Sequence, residues 1–277
     1  MRRCLGFFKK VVVGDNVASI VDQVFAQSTA PSGTTVLLGV YAFAFQIYCD
    51  FSGYSDIARG VAKLLGVELM VNFDRPYLAL NPSDFWRRWH ISLSTWLRDY
   101  LYVPLGGNRH GRAKTYRNLM LTMLLGGLWH GAAWNFILWG AYHGALLMAH
   151  RLVVVDLKLW RGDGRVSRLV SRVLMFHAVC YGWLLFRATS FEQIRGFTSA
   201  LAGGFRISGL GLGAPAMVLA VAVLMLWALE SWVQNADDPR GSRGWRAGLG
   251  PLVCSAIALA IVLLAPPAAQ SFLYFQF

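Results

Sequence analysis

Residues 127–144 read GLWHGAAWNFILWGAYHG and lie inside a longer stretch, Asn118 to His150, whose 33 residues include no Lys, Arg, Asp or Glu. A run this apolar belongs in a bilayer, where about 20 such residues suffice to cross. Its length sets a second condition. One straight α-helix of this stretch would be roughly 50 Å long, well beyond the ~30 Å hydrocarbon core. Both flanks are basic. Ser83 to Arg117 carries seven Lys/Arg against two acids, and residues 151–172 carry six against two. A single crossing would leave one basic flank outside, against the positive-inside tendency. Two shorter helices that enter and return keep both flanks on the cytoplasmic side. Gly126, Gly127 and Gly131 supply the break, which is tolerated only where protein or a water-filled cavity lines it. The stretch therefore predicts a re-entrant hairpin, or a kink between packed helices, with His130 near its tip.

The rest of the composition agrees with a membrane setting. The chain has 277 residues, 56% hydrophobic and 14% charged, with a mean hydropathy of +0.46. Soluble domains carry about 25% charged residues. The fold class is thus an all-α polytopic membrane protein with transmembrane, re-entrant and interfacial helices. The net charge of +12 sits in short segments between apolar runs, which fits cytoplasmic loops and anionic lipid rather than nucleic acid. Cys4, Cys49, Cys180 and Cys254 are far apart with no C-x-x-C spacing, so neither a disulfide framework nor a zinc site is expected.

Along the chain, MRRCLGFFKKVVVGDN lacks a signal peptide's apolar core and cleavage site and reads as a cytoplasmic loop. Lys10 to Gln27 has helical spacing with polar breaks, an interfacial or short buried helix. The first span runs within Gln23–Cys49, with Thr34–Tyr48 as its core, after the turn at Pro31-Ser32-Gly33. Residues 50–117 hold the densest polar sequence. In it, DFSGYSD reads as a capped turn, Asn81 or Ser83 caps a helix, and Phe85–Tyr102 is aromatic-rich and helical. Further spans are expected at Val173–Phe186, Ala214–Trp232 and Leu252–Pro266, with the polar loop NADDPRGSRGWR between the last two and an interfacial tail, SFLYFQF. All of 1–277 reads as one membrane domain without internal repeats.

Soluble-enzyme motifs are missing: no G-x-S-x-G, H-E-x-x-H, P-loop or dinucleotide fingerprint. What remains is two histidines among aromatics, His90 in FWRRWHISLSTW and His130 in GLWHGAAW. Burial keeps an imidazole neutral, so it can take a proton from a hydroxyl that attacks an acyl carbonyl, and a second polar group can orient substrate or stabilise the oxyanion. Structural roles suit His110, His150 and His177. His143 also fits one, since thirteen residues place it about 140° from His130 on a straight helix. The Arg/Trp cluster of 86–98 equally suits an interfacial helix at headgroup level.

Together, WRRWHISLSTWLRDYLYVPLGG and GLWHGAAWNFILWGAYHG resemble the membrane-bound O-acyltransferase superfamily, in particular its alginate O-acetyltransferase membrane subunit branch. YCDFSGYSDIARG, YGWLLFRA and the final FLYFQF are similar to that branch too. The resemblance implies helices around a central funnel, with His130 at the family's near-invariant histidine and His90 at the second one, in W-H-x-S. It implies no bound cofactor and no metal. Acetyl-CoA or another cytoplasmic acyl donor is a substrate, and a periplasmic acetyltransferase partner then places the acetyl group on an exopolysaccharide hydroxyl. It also implies a multi-pass protein of the bacterial inner membrane. Because KKVVVGDNV lies almost at the start here, the chain is expected to match the C-terminal part of such enzymes, without their first helices.

The expected function is thus membrane-embedded O-acyl transfer, with His130 as base and His90 assisting. Trp86, Trp89, Trp129 and Asn135 are expected to line the cavity, and Arg87, Arg88 and Arg98 to attract a phosphate-bearing donor. D-alanyl transfer to teichoic acid is the near alternative. A transporter or scaffold using Asp50 and Asp56 as a proton relay, and an inactive fragment, are the distant ones.

Overall fold

The computed structural model describes residues 2–27, 31–159, 164–203, 213–237, 243–266 and 272. Every regular element among them is helical. In chain order these are α1 (Arg2–Phe7), α2 (Asp15–Phe25), α3 (Gly33–Leu64), α4 (Pro82–Trp86), α5 (Ile91–Leu97), α6 (Gly111–His130), α7 (Trp134–His150), α8 (Arg165–Arg187), α9 (Phe191–Gly203), α10 (Gly213–Asp237) and α11 (Arg243–Leu264). Wider π-helical turns follow α1, α5 and α7, at Phe8–Gly14, Arg98–Tyr102 and Arg151–Asp156. Among the described residues, Gly33–Leu64, Arg165–Arg187 and Gly213–Trp232 contain stretches long and apolar enough to cross a membrane. The chain forms two compact units, one of residues 1–70 with 195–277 and one of residues 71–194.

In the first unit α3 departs from expectation. It is capped by Ser32, whose hydroxyl accepts from the Thr35 amide, and it continues straight through DFSGYSD, which is mid-helix rather than a turn. Asp50 is buried there, and a carboxylate can be kept in such a place only if paired. The partners come from the opening segment, which is helical and not a loop. Lys10, in the π-helical turn, lies 2.7 Å from Asp50 and 2.8 Å from Asp15. Lys9 lies 3.0 Å from Asp56 and 2.8 Å from Glu230 of α10. The Tyr48 hydroxyl donates to the same Glu230 carboxylate at 2.6 Å. Close backbone approach accompanies these pairs. A Cβ on Gly53 would sit 2.8 Å from the Gly6 carbonyl oxygen, and one on Gly39 would strike Val24. The expected last span falls on an apolar stretch, Gly250–Leu264, shorter than the three above. In the tail after it, Phe272 packs edge-on to Tyr54; the remainder of SFLYFQF and residues 238–242 of the polar loop lie outside the described residues.

In the second unit α6 and α7 form the expected hairpin. The chain reverses over Gly131, Ala132 and Ala133, so the break falls at Gly131 alone. Gly126 and Gly127 stay inside α6. There Gly127 faces the Phe136 carbonyl, Gly140 faces that of Met123, and Gly144 meets Met120. These pairings run antiparallel, and a Cβ at Gly127 or Gly140 would overlap the facing carbonyl oxygen. Glycine is used here for close helix contact, as small residues are in membrane helix pairs. The hairpin brings residues 111–117 and 150–151 to one end, as the charge argument requires. α8 lies antiparallel to α7, with the Tyr142 hydroxyl donating to the Ala178 carbonyl at 2.9 Å and the Asn135 amide to that of Phe186 at 3.0 Å.

The aromatic segment expected as one helix over 85–102 is broken. Asn81 caps α4, accepting from the Asp84 amide at 2.8 Å, with Pro82 in its first turn. The chain then turns over Arg87–His90 before α5. α8 begins at Arg165, a full two turns before the expected span, because its first half mixes arginine with exposed apolar residues. α9 was not expected.

Candidate active site

His90 is held by its backbone and by one neighbour. It sits in the left-handed region at φ 43° and caps α5, a conformation that histidine adopts more readily than branched residues. The extended segment before α4 clamps it. The Ile91 amide donates to the Asn72 carbonyl at 3.0 Å, and the Asp74 amide to that of Arg88 at 2.9 Å. The Asn72 side-chain oxygen accepts from the Ser92 amide at 3.1 Å and from its hydroxyl at 2.9 Å. His90 Nδ1 lies 3.3 Å from that same oxygen. The Ser92 hydroxyl oxygen is 3.2 Å from Nδ1 as well, but its proton goes to Asn72; an amide oxygen only accepts, so in this set of bonds Nδ1 carries the proton and Nε2 is the acceptor nitrogen. Burial, with His130 nearby as a lesser cause, lowers the His90 pKa to about 3. The ring is therefore neutral across the physiological range.

This has a consequence for stability. The unfolded chain protonates His90 near pH 6.5, while the folded one does so only near 3. Acid therefore favours the unfolded state, and stability falls as pH drops through that window. His90→Asn keeps a residue that tolerates the left-handed backbone and removes this proton. Thermal midpoints titrated from pH 6.5 to 4 should fall less steeply in the variant, by at most about 1.4 kcal/mol per pH unit. Parallel curves would show that His90 is not the group responsible.

His130 ends α6 at the hairpin tip, half-buried in a ring of aromatics. Its imidazole centroid is 5.0 Å from Trp129, 5.1 Å from Phe186, 5.2 Å from Trp139 and 6.3 Å from Phe136. Trp129 also stands 6.3 Å from His90, so one indole links the two histidines. The sequence placed both in one site, and the structure brings them together. It does so through residues from four separate elements: α6, α7, α8 and the turn before α5.

The other expected residues divide. Trp86 packs edge-on to Trp139 at 5.8 Å and to His143 at 5.2 Å. Trp89 is buried and stacks on Phe85 at 5.8 Å, and lies 4.7 Å from Trp183. Trp129 is more than half exposed. Asn135 ties α7 to the end of α8 through the Phe186 carbonyl, a connecting role. A cavity of about 370 Å³ lies on the flank of this cluster, lined among others by Trp86, Arg87, Ser94, Thr95, Arg98 and Met123. Arg87 and Arg98 thus share a cavity with Trp86. Arg98 also forms two bonds to Asp99, at 2.7 and 3.0 Å. Arg88 points elsewhere, 2.8 Å from Asp84 and 3.7 Å from Asp74, and is spent on holding α4 to the preceding segment.

Sequence reasoning missed Asn72, Trp139 and Phe186. It also assigned His143 to a structural role from its angle on a straight helix. With the chain broken at Gly131, His143 comes to lie beside the same rings, 4.9 Å from Trp139 and stacked 6.1 Å from Phe85. It is fully buried, and neither ring nitrogen has a hydrogen-bond partner among the described residues. Gly182 makes room for it: a Cβ there would stand 2.6 Å from His143 Nε2.

Comparison of the sequence with known proteins gives the family. The profile of the membrane-bound O-acyltransferase family matches residues 4–186. The chain is 40% identical to the probable alginate O-acetylase AlgI of Azotobacter vinelandii, over 98% of this chain and 60% of that protein. It is 42% identical to a peptidoglycan O-acetyltransferase of Helicobacter pylori, over 68% of this chain and 36% of that protein. It is 29% identical to a teichoic acid D-alanyltransferase of Bacillus subtilis, over 68% of this chain and 50% of that protein. The chain thus spans about 60% or less of the length of these relatives. On the match over residues 4–186, which includes both histidines and the whole α6–α7 hairpin, the chain belongs to the membrane-bound O-acyltransferase family.

Proposed function

We propose that this chain carries the catalytic histidines of an O-acyltransferase in the bacterial inner membrane. It would pass an acetyl group from a cytoplasmic donor, such as acetyl-CoA, toward hydroxyls of an extracytoplasmic polysaccharide. The observation that carries the reading is His130 at the tip of a membrane hairpin, ringed by Trp129, Trp139 and Phe186, with His90 joined to it through Trp129. In this reading both compact units serve one acyltransferase domain.

Neutral His130 takes the proton of the acceptor hydroxyl as its oxygen attacks the acyl carbonyl. The tetrahedral intermediate collapses, the C–S bond of the donor breaks, and the imidazolium returns its proton to the departing thiolate. His90 offers Nε2 as an acceptor and orients the incoming hydroxyl. Trp86 and Trp139 keep water from the acyl group. Arg87 and Arg98 draw a phosphate-bearing donor to the adjoining cavity. A periplasmic partner completes transfer to the polymer. The relatives named above are named for alginate, peptidoglycan and teichoic acid, and the first is the acceptor class favoured here, by coverage of both chains.

The relay reading is less well supported. Asp50 and Asp56 each have a lysine within 3.0 Å, which suits neutralisation of buried charge better than proton carriage. The test is restoration of polysaccharide acetylation in a host deleted for its own enzyme. The chain would be supplied alone and joined to a relative's N-terminal portion, each with and without His130→Ala. Restoration that needs His130 supports the proposal. No restoration in either format, with the protein present in the membrane, overturns it.

A further inference from the structure

We propose that the groove between the C-terminal half of α7 and the N-terminal half of α8 is a binding site for an anionic phospholipid. The groove has a volume of about 730 Å³. Its walls are apolar, with Leu146, Val153, Val154, Leu174 and Met175 among them, and its polar groups are few: His150, Arg168, Ser171 and Asn81. No acid lines it. Among the described residues, the Arg168 guanidinium has no carboxylate partner, unlike Arg88 or Arg98.

The arrangement along α8 fits the ligand's shape. The lining runs from Arg168 to Ala178, ten residues, or about 15 Å of helix. That is close to the depth of one leaflet of a ~30 Å hydrocarbon core. Because α7 and α8 are antiparallel, His150 and Arg168 fall at the same end and Ala178 at the other. A cationic, hydrogen-bonding mouth thus opens on an apolar trough one acyl chain deep. Arg165 and Arg172 flank Arg168 at three and four residues, on the same side of the helix. Exposed Val166 and Leu169 between them, and Val173 just after, suit a lipid environment around this half of α8. Basic pockets between membrane helices on the cytoplasmic side select anionic headgroups. The positive charge here, continuous with residues 109–117 across the hairpin's open end, marks that side.

The test uses the purified chain in detergent and native mass spectrometry of bound lipid. Dioleoyl phosphatidylglycerol and dioleoyl phosphatidylcholine, which share their tails, would be titrated in parallel with glycerol phosphate. Binding of the anionic lipid should be stronger than that of the zwitterionic one by about fivefold or more, the weight of one arginine near an anionic surface. Arg168→Gln should remove this preference. Ala149→Trp, which fills the groove from its exposed side, should reduce binding of both lipids. Arg109→Gln, outside the groove, should change neither. Equal binding of the two lipids overturns the proposal, as does equal loss in Arg109→Gln, which would indicate a general basic surface. Glycerol phosphate competing as well as the whole lipid overturns it too, since the trough would then contribute nothing.

Discussion

Alanine in place of His130 is expected to lower acyl transfer by about 10²–10⁴-fold, the range a positioned general base supplies. His130→Gln should fare no better, because a carboxamide keeps polarity and size but cannot take the proton. The informative contrast is His143→Phe. His143 shares the same aromatic cluster and is more deeply buried, yet its ring nitrogens have no partner among the described residues. Replacing a buried, unpaired polar ring by an apolar one of similar shape is close to neutral. His143→Phe should therefore retain activity where His130→Gln loses it. The measurement is acceptor acetylation per unit of membrane-inserted protein. If the two variants lost activity equally, the base would not be assigned to the hairpin tip.

Lys9→Met should be the most destabilising single change in the first unit. Lys9 is 4% exposed and lies within 3.0 Å of both Asp56 and Glu230. Methionine fills the same space but takes the lysine from two largely buried carboxylates, leaving Arg59, 4.0 Å from Asp56, as the next cation. Removing one partner of a buried ion pair costs about 3–5 kcal/mol. The effect should be rescued in part by Asp56→Asn with Glu230→Gln in the same chain, which removes the stranded charges. Thermal midpoints in one detergent would read both changes. A Lys9→Met midpoint indistinguishable from the parent would mean that these charges are solvated and the network carries no stability.

That lysine also shows where the sequence stopped being informative. The α6–α7 hairpin was legible, because flank charge and apolar length are properties of a continuous stretch. Both histidines were legible because each sits in an unusual local context. The burial of Lys9 and Lys10 was not. Two adjacent lysines read as a loop, and the acids that neutralise Lys9 are 47 residues away for Asp56 and 221 for Glu230, while Lys10 uses Asp50, 40 residues away, beside the nearby Asp15. DFSGYSD read as a turn for the same reason, since its aspartates look solvent-seeking until their partners are known. The left-handed backbone of His90 was illegible too: Asn72, eighteen residues upstream, fixes it. Arg88 looked equivalent to Arg87 in the string RR, and only the three-dimensional position of Asp74 and Asp84 separates them. The position of the break was misjudged because three glycines stood close together. Two serve close helix packing, and one serves the turn.

The Lys9–Glu230 pair also sets a schedule for biogenesis. The ribosome makes Lys9 first and Asp56 soon after, so the opening helices and α3 can enter the bilayer with that lysine already paired one to one. The second carboxylate arrives only with α10, some 174 residues later by the numbering of the two acids. At ordinary synthesis rates that is a delay of roughly 10–35 s. Through that interval Lys9 has Asp56 as its counter-ion, and Glu230 arrives as an added negative charge that α10 can seat only against a lysine already in place.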